Sequence, residues 1–125
     1  MAHPKLTQAE FAVMKALWRL GRGTVAEVRE ALSAKERIPA YTTVMTLLGR
    51  LAAKAAVQVD RQAQPFVYEP VLARESILRK RLREFLHDVF DDDSGSLVQH
   101  LVDDESLSRD DLARLRAHLD EGEDA

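Results

Sequence analysis

At 125 residues, with 46% hydrophobic and 31% charged side chains, the chain has room for one ordinary domain or a small domain with an appendage, and the composition of a foldable soluble protein. No run of about 18 apolar residues is present to cross a membrane, Met1-Ala2-His3-Pro4-Lys5 lacks the apolar core of a signal peptide, and the absence of cysteine excludes disulfides and thiolate metal sites. The net charge of −3 is unevenly spread: residues 1–72 hold 10 Lys and Arg (Lys5, Lys15, Arg19, Arg22, Arg29, Lys35, Arg37, Arg50, Lys54 and Arg61) against 6 acids, while the remaining 53 hold 8 against 15, so only the first part suits a polyanion. The expected location is the cytoplasm, with no membrane insertion.

Leu6-Thr7-Gln8-Ala9-Glu10-Phe11 is a strong helix start. Thr7 can cap the amide of Glu10, the Glu10 side chain can return to the amide of Thr7, and Leu6 and Phe11 occupy the two positions of a hydrophobic staple. Phe11, Val13, Met14, Leu17, Trp18 and Leu20 continue the apolar pattern until Gly21 and Gly23, which are expected to end the helix. Thr24-Val25-Ala26-Glu27 repeats the capping box ahead of a short second helix carrying Val28 and Leu32. Pro39 then breaks the chain, and Thr42 or Thr43 is expected to open a third helix running to about Lys54.

In that third helix Val44, Leu47, Leu48 and Leu51 form one apolar face. The opposite face shows Thr42, Met45, Thr46, Gly49, Arg50 and Ala53, and Thr43 stands beside it. Small side chains permit close approach to a major groove, threonine can touch a base edge or a thymine methyl, and arginine can hold phosphate or guanine. Threonine is a mediocre helix former, so the cluster is an odd choice for a merely solvated face.

Val57-Gln58-Val59-Asp60-Arg61 and Phe66-Val67-Tyr68-Glu69 read as two strands joined by Gln62-Ala63-Gln64-Pro65, with Pro70 expected to end the domain. Three helices followed by a hairpin is the winged helix-turn-helix order, with Arg61, Gln62 and Gln64 near the wing tip. Thr24, Tyr41 and Lys54, at helix ends, join them as weaker candidates for contact with double-stranded DNA.

From Arg74 to Phe90 one long helix is expected, with Leu78, Leu82, Phe85 and Val89 in a stripe widened by Ile77, Leu86 and Phe90. Asp91-Asp92-Asp93-Ser94-Gly95-Ser96 reads as a polar break. Leu97, Val98, Leu101 and Val102 mark a short helix, and Ser108-Arg109-Asp110-Asp111 caps a last one with Leu112, Leu115 and Leu119. A segment of about 50 residues is too small to bury this apolar surface by itself. Pairing with an identical copy is the simplest remedy. The expected architecture is mainly α with a small β-hairpin: a winged helix-turn-helix domain over 1–72 and a helical dimerisation region over 73–125.

No catalytic residue, metal or cofactor is expected. His3, His87, His100 and His118 match no ligand spacing. Asp91-Asp92-Asp93 lacks the alternating ligands and glycine of a calcium loop. Neither a phosphate-cradling glycine loop nor a nucleophile elbow is present.

Several segments together resemble the penicillinase repressor (BlaI/MecI) family: Leu6-Thr7-Gln8-Ala9-Glu10, Val13-Met14-Lys15-Ala16-Leu17-Trp18, Thr24-Val25-Ala26-Glu27-Val28, the stretch Ala40 to Leu51, Tyr68-Glu69-Pro70 and Asp104-Glu105-Ser106-Leu107-Ser108. The resemblance covers about residues 6 to 119. It implies a winged-helix transcriptional repressor whose homodimers bind inverted repeats, often with TACA/TGTA half-sites, controlling β-lactamase or cell-wall-stress genes in an antibiotic response. It also implies release through a membrane metalloprotease sensor pathway, with cleavage at an Asn-Phe pair that aligns with His100-Leu101.

Two departures stand out. The family's Lys-Gly-Leu-Val is Lys54-Ala55-Ala56-Val57 here, so a different helix end or wing angle is expected where the glycine's left-handed turn is lost. The usual Gly-Arg before the second wing strand is Gln64-Pro65, which removes a cation. Without cysteine, the copper-sensing branch does not fit. The alternative reading is a winged-helix module that binds protein and no specific DNA. A steep loss of duplex affinity with salt separates the two.

Overall fold

The computed structural model describes residues 3–32 and 38–123, in the order α1 (Gln8–Leu20), α2 (Val25–Leu32), α3 (Tyr41–Ala53), β1 (Val57–Asp60), β2 (Val67–Pro70), α4 (Arg74–Phe90), α5 (Ser94–Asp103) and α6 (Arg109–Glu123). Lys35 and Arg37 of the cation count lie outside the described residues. The chain divides into two units, Met1–Arg79 and Lys80–Ala125.

In the first unit both capping boxes form. The Thr7 amide donates to Glu10 Oε1 at 2.9 Å and the Glu10 amide to Thr7 Oγ1 at 3.1 Å. Thr24 and Glu27 repeat the exchange at 3.0 and 3.2 Å. Each exchange satisfies two amides that a helix start leaves without partners. The core gathers Val13, Met14 and Leu17 of α1, Val28 of α2, Val44, Leu48 and Leu51 of α3, and Val57 and Tyr68 of the hairpin.

Strands β1 and β2 pair antiparallel from Val57 opposite Pro70 to Asp60 opposite Val67. Gly21, at φ 82, caps α1 by donating its amide to Leu17 at 2.7 Å. Gly23 has a different task from the helix ending expected of it. It exchanges hydrogen bonds with Tyr68 at 2.9 and 2.8 Å, adding a one-residue third strand to the hairpin. A Cβ there would stand 3.3 Å from Leu20 Cδ1, so the close approach favours glycine.

Helix α3 begins earlier than its threonines suggested. Ala40, extended at φ −66 and ψ 149, is the N-cap and gives no side-chain hydrogen bond. The Arg29 Nε–H donates to the Pro39 carbonyl at 2.8 Å, fixing the entering chain and leaving Thr42 and Thr43 inside the first turn with exposed side chains. At the other end Ala55 adopts φ 59. The left-handed turn thus survives the loss of glycine, at a cost of about 1–2 kcal/mol for a residue with a Cβ.

Pro70 closes β2 opposite Val57, where a strand end needs no amide donor, yet the first unit continues to Arg79. The Trp18 Nε1–H donates to the Leu72 carbonyl at 3.0 Å, and Ile77, expected to widen the stripe of the long helix, is buried in the first unit's core.

The second unit contrasts with the first. Among its described residues none is buried. Leu82, Phe85, Val89, Val98, Val102, Leu112, Leu115 and Leu119 are exposed, the last at 68%. Leu86, Phe90, Leu97 and Leu101 are half-buried. The polar break is shorter than expected: Asp93 accepts from the Ser96 amide at 3.0 Å, so α5 starts at Ser94. Ser108 and Asp111 form the capping exchange of α6 at 2.9 and 3.0 Å.

Glu10 is fully buried, and its Oε1 also accepts from Lys54 Nζ at 2.7 Å, joining the start of α1 to the end of α3. Burial pushes the carboxyl up, but hydrogen bonds from the Lys54 ammonium and with Thr7, together with the Lys54 charge, outweigh it and hold the group below the ordinary carboxylate range. The stability so gained is complete above that range and is lost as pH falls through the lowered value in the fold. Lys54→Met should cost about 2 kcal/mol at neutral pH. The cost should shrink near pH ~4, where the widowed carboxyl takes up a proton. Urea unfolding at both pH values measures this, and an equal cost at both would show that Lys54 acts by packing.

Candidate nucleic-acid interface

The candidate interface depends on the rotation of α3. Val44, Leu48 and Leu51 are fully buried and Leu47 is 9% exposed, which fixes the helix about its own axis. Thr42, Thr46 and Arg50 follow at i, i+4 and i+8, one exposed row on the other side, with Thr43 beside it. Thr42, Thr43, Thr46, Leu47 and Arg50 line a shallow open groove. Tyr41 and Met45 lie half exposed on the neighbouring row, each at 47%.

The chemistry of this row is specific. The Thr46 hydroxyl donates to the Thr42 carbonyl at 2.9 Å. Its proton is thereby spent, leaving an oxygen that accepts and a methyl that can meet an apolar group. Arg50 presents a planar fork of donors suited to a phosphate or a guanine edge.

The other proposed contacts are distributed differently. Arg61 and Gln62 are exposed at the hairpin tip, where Asp60 Oδ1 accepts from the Gln62 amide at 3.0 Å. The Arg61 guanidinium stands 5.9 Å from the Phe66 ring centroid. Gln64 is exposed on the same turn. Thr24 is committed to capping α2, which holds its oxygen against the Glu27 amide. The Lys54 ammonium is engaged within the fold: it bonds both Glu10 and the Lys5 carbonyl, the latter at 2.9 Å.

Arg22 was visible in the sequence only as one of ten cations. The Gly23–Tyr68 bridge brings it to a concave surface shared with Arg61, Gln62 and Gln58, and with the acids Glu27, Asp60 and Glu69. The Gly21-Arg22-Gly23 sequence was the available signal, since two glycines around a cation mark a tight loop.

The histidines do not converge. His87 Nδ1 lies 2.9 Å from Asp92 Oδ2, a contact that raises its pKa, and His100 Nδ1 lies 2.8 Å from the Ser96 carbonyl. Among the described residues no cluster of three or more His, Cys, Asp or Glu could hold a metal, and no helix is long and apolar enough to cross a membrane.

Comparisons with known proteins agree on a family. Residues 6–121 match the family model described as penicillinase repressor. The penicillinase repressor of Bacillus licheniformis is 27% identical over 118 residues, which are 94% of this chain and 91% of that protein. The transcriptional regulator BlaI of Mycobacterium tuberculosis (strain ATCC 25618 / H37Rv) is 41% identical over 99 residues, 78% of this chain and 70% of that protein. Among solved structures, the DNA-binding domain of the repressor BlaI matches with a TM-score of 0.51 and 30% identity, over 58% of this chain and 88% of that one. Its likeness supports a winged-helix first unit.

Proposed function

The chain belongs to the penicillinase repressor family, and from that premise we propose that it is a homodimeric transcriptional repressor that binds inverted-repeat operator DNA by laying α3 in the major groove. The observation that carries this reading is the exposed row of Thr42, Thr46 and Arg50 on a helix whose opposite face is locked into the core. A major groove about 12 Å wide admits such a helix, and small residues let its backbone approach the bases. Arg61 and Gln62 at the hairpin tip then lie along the DNA backbone.

Thr46→Ala removes the accepting oxygen and the methyl without disturbing the core. It should cost about 1–3 kcal/mol on an operator isolated by selection and little on random duplex. Gel-shift titrations on both DNAs check this, and an equal loss on both removes Thr46 from direct readout. Failure of either DNA to lose affinity with rising salt would favour a protein-binding module instead.

The homodimer rests on the second unit, whose described apolar side chains are exposed or only half-buried within one chain. A second copy is the occupant we assign to Leu82, Phe85 and Val89 of α4, Leu97 and Leu101 of α5, and Leu112, Leu115 and Leu119 of α6. Leu78 is half-buried in the first unit and stands at the margin of that stripe. Each leucine fully covered by the partner contributes about 1.5–3 kcal/mol. Phe85→Glu should turn a dimer into a monomer in sedimentation and weaken operator binding, because the two half-sites no longer act together. A dimer that survives both Phe85→Glu and Leu82→Glu refutes the assignment.

Release fits the same unit. His100 and Leu101 sit inside α5, a helix with no buried residue, so local opening there is inexpensive and can present the bond in the extended form a protease needs. We place the cleavage in that bond, set off through a membrane metalloprotease sensor. The cut would separate α6 from the remaining interface. Mass spectrometry of the protein from fully derepressed cells decides the matter: fragments ending at His100 are expected, and an intact chain excludes cleavage.

A further inference from the structure

A second concave site lies in the first unit, between α1, the end of α2 and the first turn of α4. It has a volume of about 400 Å³. Ala12, Trp18, Ala31 and Leu32 supply an apolar floor, and Lys15, Arg19 and Arg74 supply the charged groups. None of its lining residues belongs to the recognition row of α3.

The floor is preformed. The Trp18 ring is held by its Nε1–H bond to the Leu72 carbonyl at 3.0 Å and by an edge contact with Phe11, whose centroid is 6.0 Å away. Trp18, Ala31 and Leu32 pack against the core from its edge. A ligand entering here need not order the site first, which removes one of the main costs of binding.

Among the described lining residues the charge has one sign. The Lys15 ammonium stands 5.0 Å from the Phe11 ring centroid, and among the described residues neither Lys15 nor Arg19 is paired with an acid. Arg74 bonds the exposed Glu75 at 2.5 Å through one of its nitrogens, leaving the other donors of the guanidinium. A purely polar anion would waste the Trp18 and Leu32 surface, and a neutral apolar molecule would leave Lys15 and Arg19 without an acid partner. The volume lies within the range of small-molecule sites, about 300–1,000 Å³.

We propose that this pocket binds a small organic carboxylate, with a compact apolar body against Trp18 and Leu32 and its carboxylate among Lys15, Arg19 and Arg74. Charge-assisted hydrogen bonds from the cations orient the carboxylate, and the aromatic floor excludes water from the body.

Trp18 is the only tryptophan of the chain, so its fluorescence reports the site directly. The probe is cyclohexanecarboxylate, which does not absorb with tryptophan, and the control is the neutral cyclohexanecarboxamide; both are titrated into the full chain without DNA. Nitrogen-15 spectra run in parallel, in case the ring environment changes little. The carboxylate should bind saturably with a Kd on the order of 1 mM, as suits so small a ligand. It should shift amides at Ala12, Lys15, Trp18 and Arg19, and bind at least about tenfold more tightly than the amide. The exposed pair Lys15→Gln with Arg19→Gln should abolish that preference while keeping the fold. The proposal is overturned if neither readout saturates, if acid and amide bind alike, or if the double variant keeps the preference. It is also overturned if that variant weakens duplex binding while the carboxylate never binds, since the cations would then belong to the DNA interface. Because no DNA enters the titration, its failure leaves the repressor reading standing, and failure of the repressor reading leaves the pocket standing.

Discussion

The Glu10 carboxylate is the joint on which the first unit turns. Its Oε1 receives the Thr7 amide and the Lys54 ammonium, so one atom closes the start of α1 and anchors the residue that ends α3. The other oxygen, Oε2, is buried without a hydrogen-bond partner. Half of the carboxylate therefore pays a desolvation cost that the ion pair must offset, which makes the interaction a better determinant of position than of stability. Position is what the reading role proposed for α3 requires. Thr42, Thr46 and Arg50 form one row by their spacing alone, and a helix whose C-terminal end could slide or roll would turn a different row to solvent.

The strained turn after Lys54 serves the same constraint. With the ammonium fixed on Glu10, the chain has little room to leave α3 and reach β1, where Val57 must be buried. Ala55 takes the left-handed conformation there despite its Cβ. Val71 and Leu72 then return to the Ala56 carbonyl at 2.9 and 3.3 Å, so the end of α3, the start of β1 and the exit of β2 meet at one residue. The hairpin is thus held at its base, while the one cation at its tip, Arg61, stays exposed.

What could be read from the sequence was local. The Thr7–Glu10 box, the two faces of α3 and the span of α4 each follow from spacings of three or four residues, and periodicity is a strong signal over such distances. Contacts made across the fold were not legible. Gly23 looked like a helix stop because the glycine signal is the same for a stop and for a close backbone approach. Lys54 was read as a weaker candidate for DNA contact, because nothing near it in sequence announces Glu10. Ile77 obeyed the period of α4 and so was read with that helix, although its burial belongs to the first unit. The Trp18 pocket draws on three separate helices, and no single stretch carries its pattern.

The acidity of the later part of the chain constrains how two copies can meet. Residues 73–125 hold 15 acids against 8 Lys and Arg, so the proposed dimer brings together surfaces of the same sign. The attraction must then come from the exposed leucines and from Phe85 and Val89, with charge opposing it. Salt screens that repulsion over a Debye length of about 8 Å at physiological ionic strength. The same salt would compete with the phosphate contacts proposed for Arg50 and Arg61. The two associations therefore respond to ionic strength in opposite directions, dimerisation favoured and DNA release promoted.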